Sequence, residues 1–346
     1  MTQNPRWKHR PLGSTWGDWG PDDELGRLNL ITPTKVKQGV AEVREGITFN
    51  LSLPLDVPGG NLLNPRRKPP RLRPTTGDDG RIFYTYPFKA DYAATDVVCD
   101  DAVLMYLQYS TQWDSFAHMG SLFDADGDGV PEPVFYNGYR AGIEVVTPNP
   151  ESDERQGAHK LGLHAMAAHG VQGRGVLIDV EKHFGTARQA ITYAQLRQVM
   201  EADHIVVEPG DMVCIHTGFA EKVLQMNRQP DRATLHESCA VLDANDPALL
   251  QWITDSQLSV LIADNYAVED RPHNFQGDNC RALLPLHEHC LFKLGVHLGE
   301  IWHLTPLAHW LRQHNTPERG NRFLLTAPPL RLPGAVGAPP CPVATV

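Results

Sequence analysis

The chain has 346 residues, 41% hydrophobic and 21% charged, long enough to bury a core without disulfides or a structural metal. Its 31 basic and 41 acidic side chains leave a net charge of −10, which argues against a phosphate backbone as partner. No apolar run reaches the ~18 residues of a membrane helix, so neither nucleic acid nor membrane is an expected partner. The first residues form no secretory-type apolar segment, and the six cysteines are scattered without a C-x-x-C pair. A cytoplasmic, reducing setting is the expectation.

In chain order, residues 1–13 read as a tail on a single domain covering 1–346. Thr32-Pro33, followed by Val36, Val40, Ala41 and Val43, predicts an N-capped amphipathic helix that ends at Gly46. Ile47 to Leu53 alternates apolar and polar residues, the period of a half-buried strand. Residues 57–80 read as a Pro/Arg-rich extended loop, whose cluster Arg66, Arg67, Lys68, Arg71 and Arg73 lacks interleaved aromatics. Val103 to Tyr109 is strand-like and leads to a polar cluster. Further strands are predicted at Gly175–Val180, Met212–His216 and Leu258–Ala263. Helices are predicted after the caps Thr192 and Asp246-Pro247, and a helix-turn-strand over Pro285–Leu298. Strands interleaved with helices make an α/β pattern. Asp114, Asp179 and Asp264 stand at strand ends, where such folds build sites.

The segment Gln108-Tyr109-Ser110-Thr111-Gln112-Trp113-Asp114-Ser115-Phe116-Ala117-His118 concentrates two amides, a carboxylate and an imidazole. On an extended strand Gln112 and Asp114 share a face, so their oxygens could ligate one cation or satisfy neighbouring backbone. The segment resembles a degenerate form of the H-x-G-T-H-x-D-x-P-x-H motif of the cyclase and bacterial kynurenine formamidase superfamily. Thr111, Asp114 and His118 stand at its Thr, Asp and final His. Similar blocks follow in order: Trp19 to Pro33, Phe135 to Gly138, Gly173 to Asp179, Gly210-Asp211 with Thr217-Gly218, Leu298 to Trp302, and Leu332 to Pro340.

The resemblance implies a swivelling β/β/α fold, a mixed sheet core with surrounding helices, and a homodimer or homotetramer. It implies a divalent metal, manganese or zinc, held by Asp114, Gln112, His287 and Glu300, with His289 an alternative to His287. Choosing His287 requires a one-residue insertion in the following turn. It also implies His118 as the proton-transfer residue. Both leading histidines of the motif are replaced, by Gln108 and Gln112, and an amide oxygen is a harder donor than imidazole. A mononuclear oxygen-rich site is therefore expected. Gln108, Trp113 and Phe116 are expected to line the substrate pocket.

Such a metal activates water and polarises a carbonyl, so hydrolysis of a C–N bond in a small cyclic or aromatic amide is expected. A lactonase or cyclase/dehydratase on the same metal, and a non-catalytic small-molecule binder, are the alternatives. Asp124, Asp126, Asp128 and Glu132 occupy positions one, three, five and nine of a calcium-type loop, but the twelfth is Phe135. Structural calcium and a plain acidic turn both fit that pattern. The sequence contains no G-x-S-x-G elbow, and no G-x-G-x-x-G lies in strand-helix context.

Overall fold

Four parallel strands buried on both faces organise the molecule. The computed structural model describes residues 6–152, 156–270 and 281–346. Nine strands form its main sheet: β1 (Thr48–Asn50), β2 (Gln112–Asp114), β3 (Gln172–Asp179), β4 (Met212–His216), β5 (Val260–Ala263), β6 (His297–Glu300), β7 (Arg322–Thr326), β8 (Gly337–Ala338) and β9 (Val343–Thr345). Their spatial order is β1-β9-β7-β3-β4-β5-β6-β2-β8. Strands β3 to β6 run parallel, and β7 and β2 flank them antiparallel. This is the mixed α/β architecture expected.

Both faces of the parallel strands are apolar, as a sheet covered on two sides requires. Val176, Ile178, Val213, Ile215, Leu261 and Ala263 pack into one core, while Leu177, Met212, Cys214, Val260 and Ile262 pack into the other. Helices cover these faces and begin where the caps predict. Thr32 accepts from Lys35 N, Thr192 forms a capping box with Gln195, and Asp246 accepts from Ala248 N ahead of helix Pro247–Ser256. Among the described residues no helix is long and apolar enough to cross a membrane.

Three expectations need correction. The segment read as a tail is docked from residue 6 onward: Trp7 packs on Trp16 with centroids 6.2 Å apart, and Lys8 N donates to Ala125 O at 2.7 Å. The 57–80 loop contains a strand, Arg71–Pro74, paired antiparallel with Asp101–Leu104. The strand expected at 103–109 is therefore the return strand of a projecting arm, and the chain rejoins the main sheet only at Gln112. A second pair, Tyr84–Pro87 with Val97–Cys99, extends this arm.

Candidate metal centre

The carboxyl ends of the parallel strands line one edge of the sheet, the usual place for a site in such a fold. Glu300 closes β6, and its antiparallel neighbour β2 places Gln112 opposite Glu300 and Asp114 opposite Leu298. The two-residue period puts Gln112 and Asp114 on one face and Trp113 on the other. Trp113 is fully buried there, against Trp302 and with its Nε1 donating to Ala327 O. Phe116 stacks on His297 at 3.9 Å inside the core. These two aromatics, expected in the substrate pocket, are instead core residues.

Asp114, His118 and His287 present ligand-type atoms within 4.8 Å of one another. His287 reaches Glu300 Oε1 through Nε2 at 3.2 Å and Glu269 Oε1 through Nδ1 at 2.6 Å. Glu269 also accepts from the backbone N–H groups of Leu286 and His287 at 2.8 Å each. Burial opposes charge on His287, but its two carboxylate partners prevail and raise its pKa to about 10. Burial likewise raises the Asp114 carboxyl, against the pull of His118. At Glu300 burial is outweighed by the His287 hydrogen bond, and the carboxyl sits below its ordinary range.

Gln108 ties the motif together. Its Nε2 donates to Asp114 Oδ1 and lies 3.0 Å from His118 Nδ1. That approach requires glycine at 337, opposite Asp114, because a Cβ there would overlap the Gln108 side chain. The Gln112 amide is engaged at both ends, donating to Glu300 Oε2 at 3.2 Å and accepting from Arg67 Nη1 at 3.5 Å. Asp114 Oδ2, buried, has no hydrogen-bond partner among the described residues. His289, the alternative to His287, instead meets Thr254 Oγ1 at 2.9 Å, and burial lowers its pKa to about 4. After His287 the helix widens into a π-helix over Glu288–Leu294.

Sequence reasoning missed Glu269 and Arg67. Glu269 carries no motif of its own. Arg67 was read as part of a solvated loop, yet it also donates to Gln108 O at 2.6 Å.

The acidic loop follows a hairpin strand, and Asp124, Asp126 and Asp128 gather there as the spacing suggests. Asp124 accepts from the backbone N–H of Gly127, Asp128 and Gly129, at 2.8, 3.1 and 3.0 Å. Arg140 pairs with Asp126 at 3.3 Å and Glu132 at 2.9 Å, so calcium there would compete with an internal cation.

A second buried cluster lies along the same sheet edge. His216 Nδ1 is 2.8 Å from Asp179 Oδ1, and its Nε2 is 3.1 Å from Thr305 Oγ1. Arg312 bonds both Asp179 oxygens, at 2.6 and 2.9 Å, and also Glu181. Asp264 faces inward, accepting from Thr217 N at 2.8 Å and Gly218 N at 2.7 Å.

With this geometry in hand, likeness to known proteins can be weighed. No curated protein matches the chain. The solved structure of "a novel cyclase" is 31% identical, covering 96% of this chain and 97% of that one, with a TM-score of 0.73. Isatin hydrolase A from Labrenzia aggregata is 14% identical, covering 89% and 95% with a TM-score of 0.53. Its counterpart from Ralstonia solanacearum is 13% identical, covering 90% and 97% with a TM-score of 0.53. These two share the fold. Residues 49–270 match the family described as "Putative cyclase". By that match and by its likeness to the solved cyclase, the chain belongs to the cyclase family.

Proposed function

We propose that this protein is a metal-dependent hydrolase that cleaves the C–N bond of a small cyclic or aromatic amide. One observation carries the reading: among the described residues Asp114 Oδ2 is a buried carboxylate oxygen without a hydrogen-bond partner, beside Glu300, His287 and Gln112 side chains that are bonded to one another. A buried anion left open in this way calls for a cation. Asp114, Glu300 and His287 would hold a divalent ion, and two carboxylates with an imidazole suit manganese or zinc. When bound, such an ion polarises a carbonyl oxygen and brings the pKa of a water toward ~7.

The chain's own residues supply the rest. Gln108 donates to His118 Nδ1, which leaves the ring proton of the neutral imidazole on Nε2. That nitrogen lies 4.0 Å from Asp114 Oδ1, and the ring is 21% exposed. His118 lines a cavity of about 320 Å³ with Ser121, Leu122 and Phe135. It is placed to hand its Nε2 proton to a leaving nitrogen as general acid. Glu269 holds Nδ1 of His287 and so aims Nε2 at the metal position. Gln112 fixes the Glu300 carboxylate from the opposite strand. The isatin hydrolases that share this fold act on a cyclic amide, which supports the substrate class.

The test is metal analysis of the purified protein with hydrolysis of matched amide and lactone rings, followed by product mass. About one manganese or zinc per chain and opening of the amide ring is the expected result. Calcium alone with neither ring opened would make the protein a binder, and preference for the lactone would move it to ester chemistry.

A further inference from the structure

One cation reaches the edge of the metal centre with most of its hydrogen-bonding capacity unspent. Through Nη1 alone, Arg67 donates to Gln108 O at 2.6 Å and to Gln112 Oε1 at 3.5 Å. Gln112 in turn donates to Glu300 Oε2 at 3.2 Å, so a single amide separates the guanidinium from the Glu300 carboxylate. A guanidinium carries its N–H donors in a planar fork. Among the described residues Nε and Nη2 of Arg67 bond nothing, and no carboxylate pairs with them. The side chain is half-buried, so it remains within reach of a ligand.

Arg67 also lines a narrow cavity with Pro58, Leu63, Asn64, Tyr109 and Tyr266, and Gln108 borders both this cavity and Asp114. The free volume of about 10 Å³ has room for one water-sized group, the size of a carboxylate oxygen. Asn64 Nδ2 donates to Tyr266 Oη at 3.0 Å, which leaves the phenol's own O–H to donate. Gly60 O already accepts from the Tyr109 hydroxyl at 2.9 Å, and Asn64 Oδ1 from Arg66 N at 3.1 Å. What Arg67 and Tyr266 have to spare is donors, and a planar fork of charged donors matches a carboxylate. Arg66, Lys68, Arg71 and Arg73, next in the chain, also pair with no carboxylate among the described residues. On a chain of net charge −10, the segment bordering this cavity is therefore locally basic.

We propose that Arg67, with the Tyr266 hydroxyl, binds a carboxylate on the acyl side of the substrate, so that the amide cleaved is a monoamide of a dicarboxylic acid. The proposal rests on the hydrolase reading above, in which His118 gives its proton to the leaving nitrogen. Gln108 stands between His118 and Arg67: its Nε2 lies 3.0 Å from His118 Nδ1, while its backbone oxygen accepts from Arg67. With the leaving nitrogen toward His118, the acyl side of the scissile bond faces Arg67. Water adds to the carbonyl carbon, the C–N bond breaks, and the amine leaves with the proton. The acyl fragment is then a dicarboxylate, one end where the amide stood and the other on Arg67.

Two measurements on the purified full chain test this. The first compares hydrolysis of N-phenylsuccinamate with that of butyranilide, which carries a methyl group in place of the carboxylate. Wild type is expected to favour the acid by about 10- to 100-fold in kcat/KM. Arg67→Met should lose that preference and Tyr266→Phe reduce it. Taking the ratio within each variant cancels any general loss of fold or metal. The second measurement is calorimetric. Succinate is expected to bind wild type about 10-fold more tightly than butyrate, with the difference shrinking as salt rises and absent in Arg67→Met. If neither anilide is cleaved the hydrolase reading fails, and the difference between succinate and butyrate still decides this proposal. Circular dichroism checks folding, and Arg67→Lys, which keeps the charge without the fork, replaces the methionine variant if that one unfolds; it should retain only part of the preference. Equal handling of the acid and methyl compounds by wild type overturns the proposal. So does a preference that Arg67→Met keeps, or a larger one for a carboxylate on the aniline ring.

Discussion

Two buried clusters of His and carboxylate sit on one edge of the sheet, and they differ in who neutralises them. Around Asp179 and His216 the chain supplies its own cation, because Arg312 bonds both oxygens of Asp179 and one of Glu181. Around Asp114 the nearest guanidinium, Arg67, stops at Gln112 and the Gln108 carbonyl; among the described residues no arginine or lysine bonds the Asp114 carboxylate, whose side-chain partner is the Gln108 amide, and one oxygen is left over. The donor types are nearly the same. An internal guanidinium turns such a cluster into a structural tie between strand and helix; its absence leaves a receptor for an ion from outside. A ligand-like grouping of residues therefore becomes informative only after the cations already present have been counted.

That contrast can be broken in several ways. The largest expected effect is on turnover. Asp114→Ala should lose metal and activity together, while His118→Ala should keep the metal and lose about 10²- to 10⁴-fold in rate. Full activity in either variant would remove the roles assigned. Next comes stability: Asp179→Asn is expected to destabilise the fold by about 3–5 kcal/mol at neutral pH, since it strands Arg312 and His216. His216 and Arg312 hold the Asp179 carboxyl well below its ordinary range against the opposing effect of burial. The stability it contributes is therefore present above about pH 4 and lost on further acidification. Thermal melts of wild type and Asp179→Asn should converge as pH falls below that point. Glu269→Gln should weaken metal binding about 10- to 100-fold by calorimetry, through misorientation of His287. Smallest of all, Asp114→Asn in metal-stripped protein should shift stability by no more than about 1 kcal/mol, because it removes an unpaired buried charge. A loss as large as that of Asp179→Asn would show that the two clusters are alike after all.

The sheet was legible because its central strands are short, nearly continuous apolar runs between turn and cap residues: Met212 to His216 has the bounds the sequence predicts, and Thr192 and Asp246 mark their helix starts. Asp114, Glu300 and His287 were named from the family likeness; strand register sets Asp114 beside the Glu300 strand, and the short helix Pro285–His287 delivers His287 to both. The pocket aromatics were misread because Trp113 sits between two site residues in sequence but on the opposite face in space. Glu269 could not be read, since its contact with His287 spans 18 residues and a helix turn. The arm escaped notice for a different reason. Its strands Arg71–Pro74 and Asp101–Leu104 expose both faces, so no burial period is written into them.

The wide turn after His287 has an evolutionary consequence. A π-helix winds more residues into each turn than an α-helix, so the stretch Glu288–Leu294 before β6 is one in which a change of length by one residue could leave His287 and Glu300 at the same separation. If the assignment of His287 is right, alignments across this segment are expected to need a one-residue gap after His287.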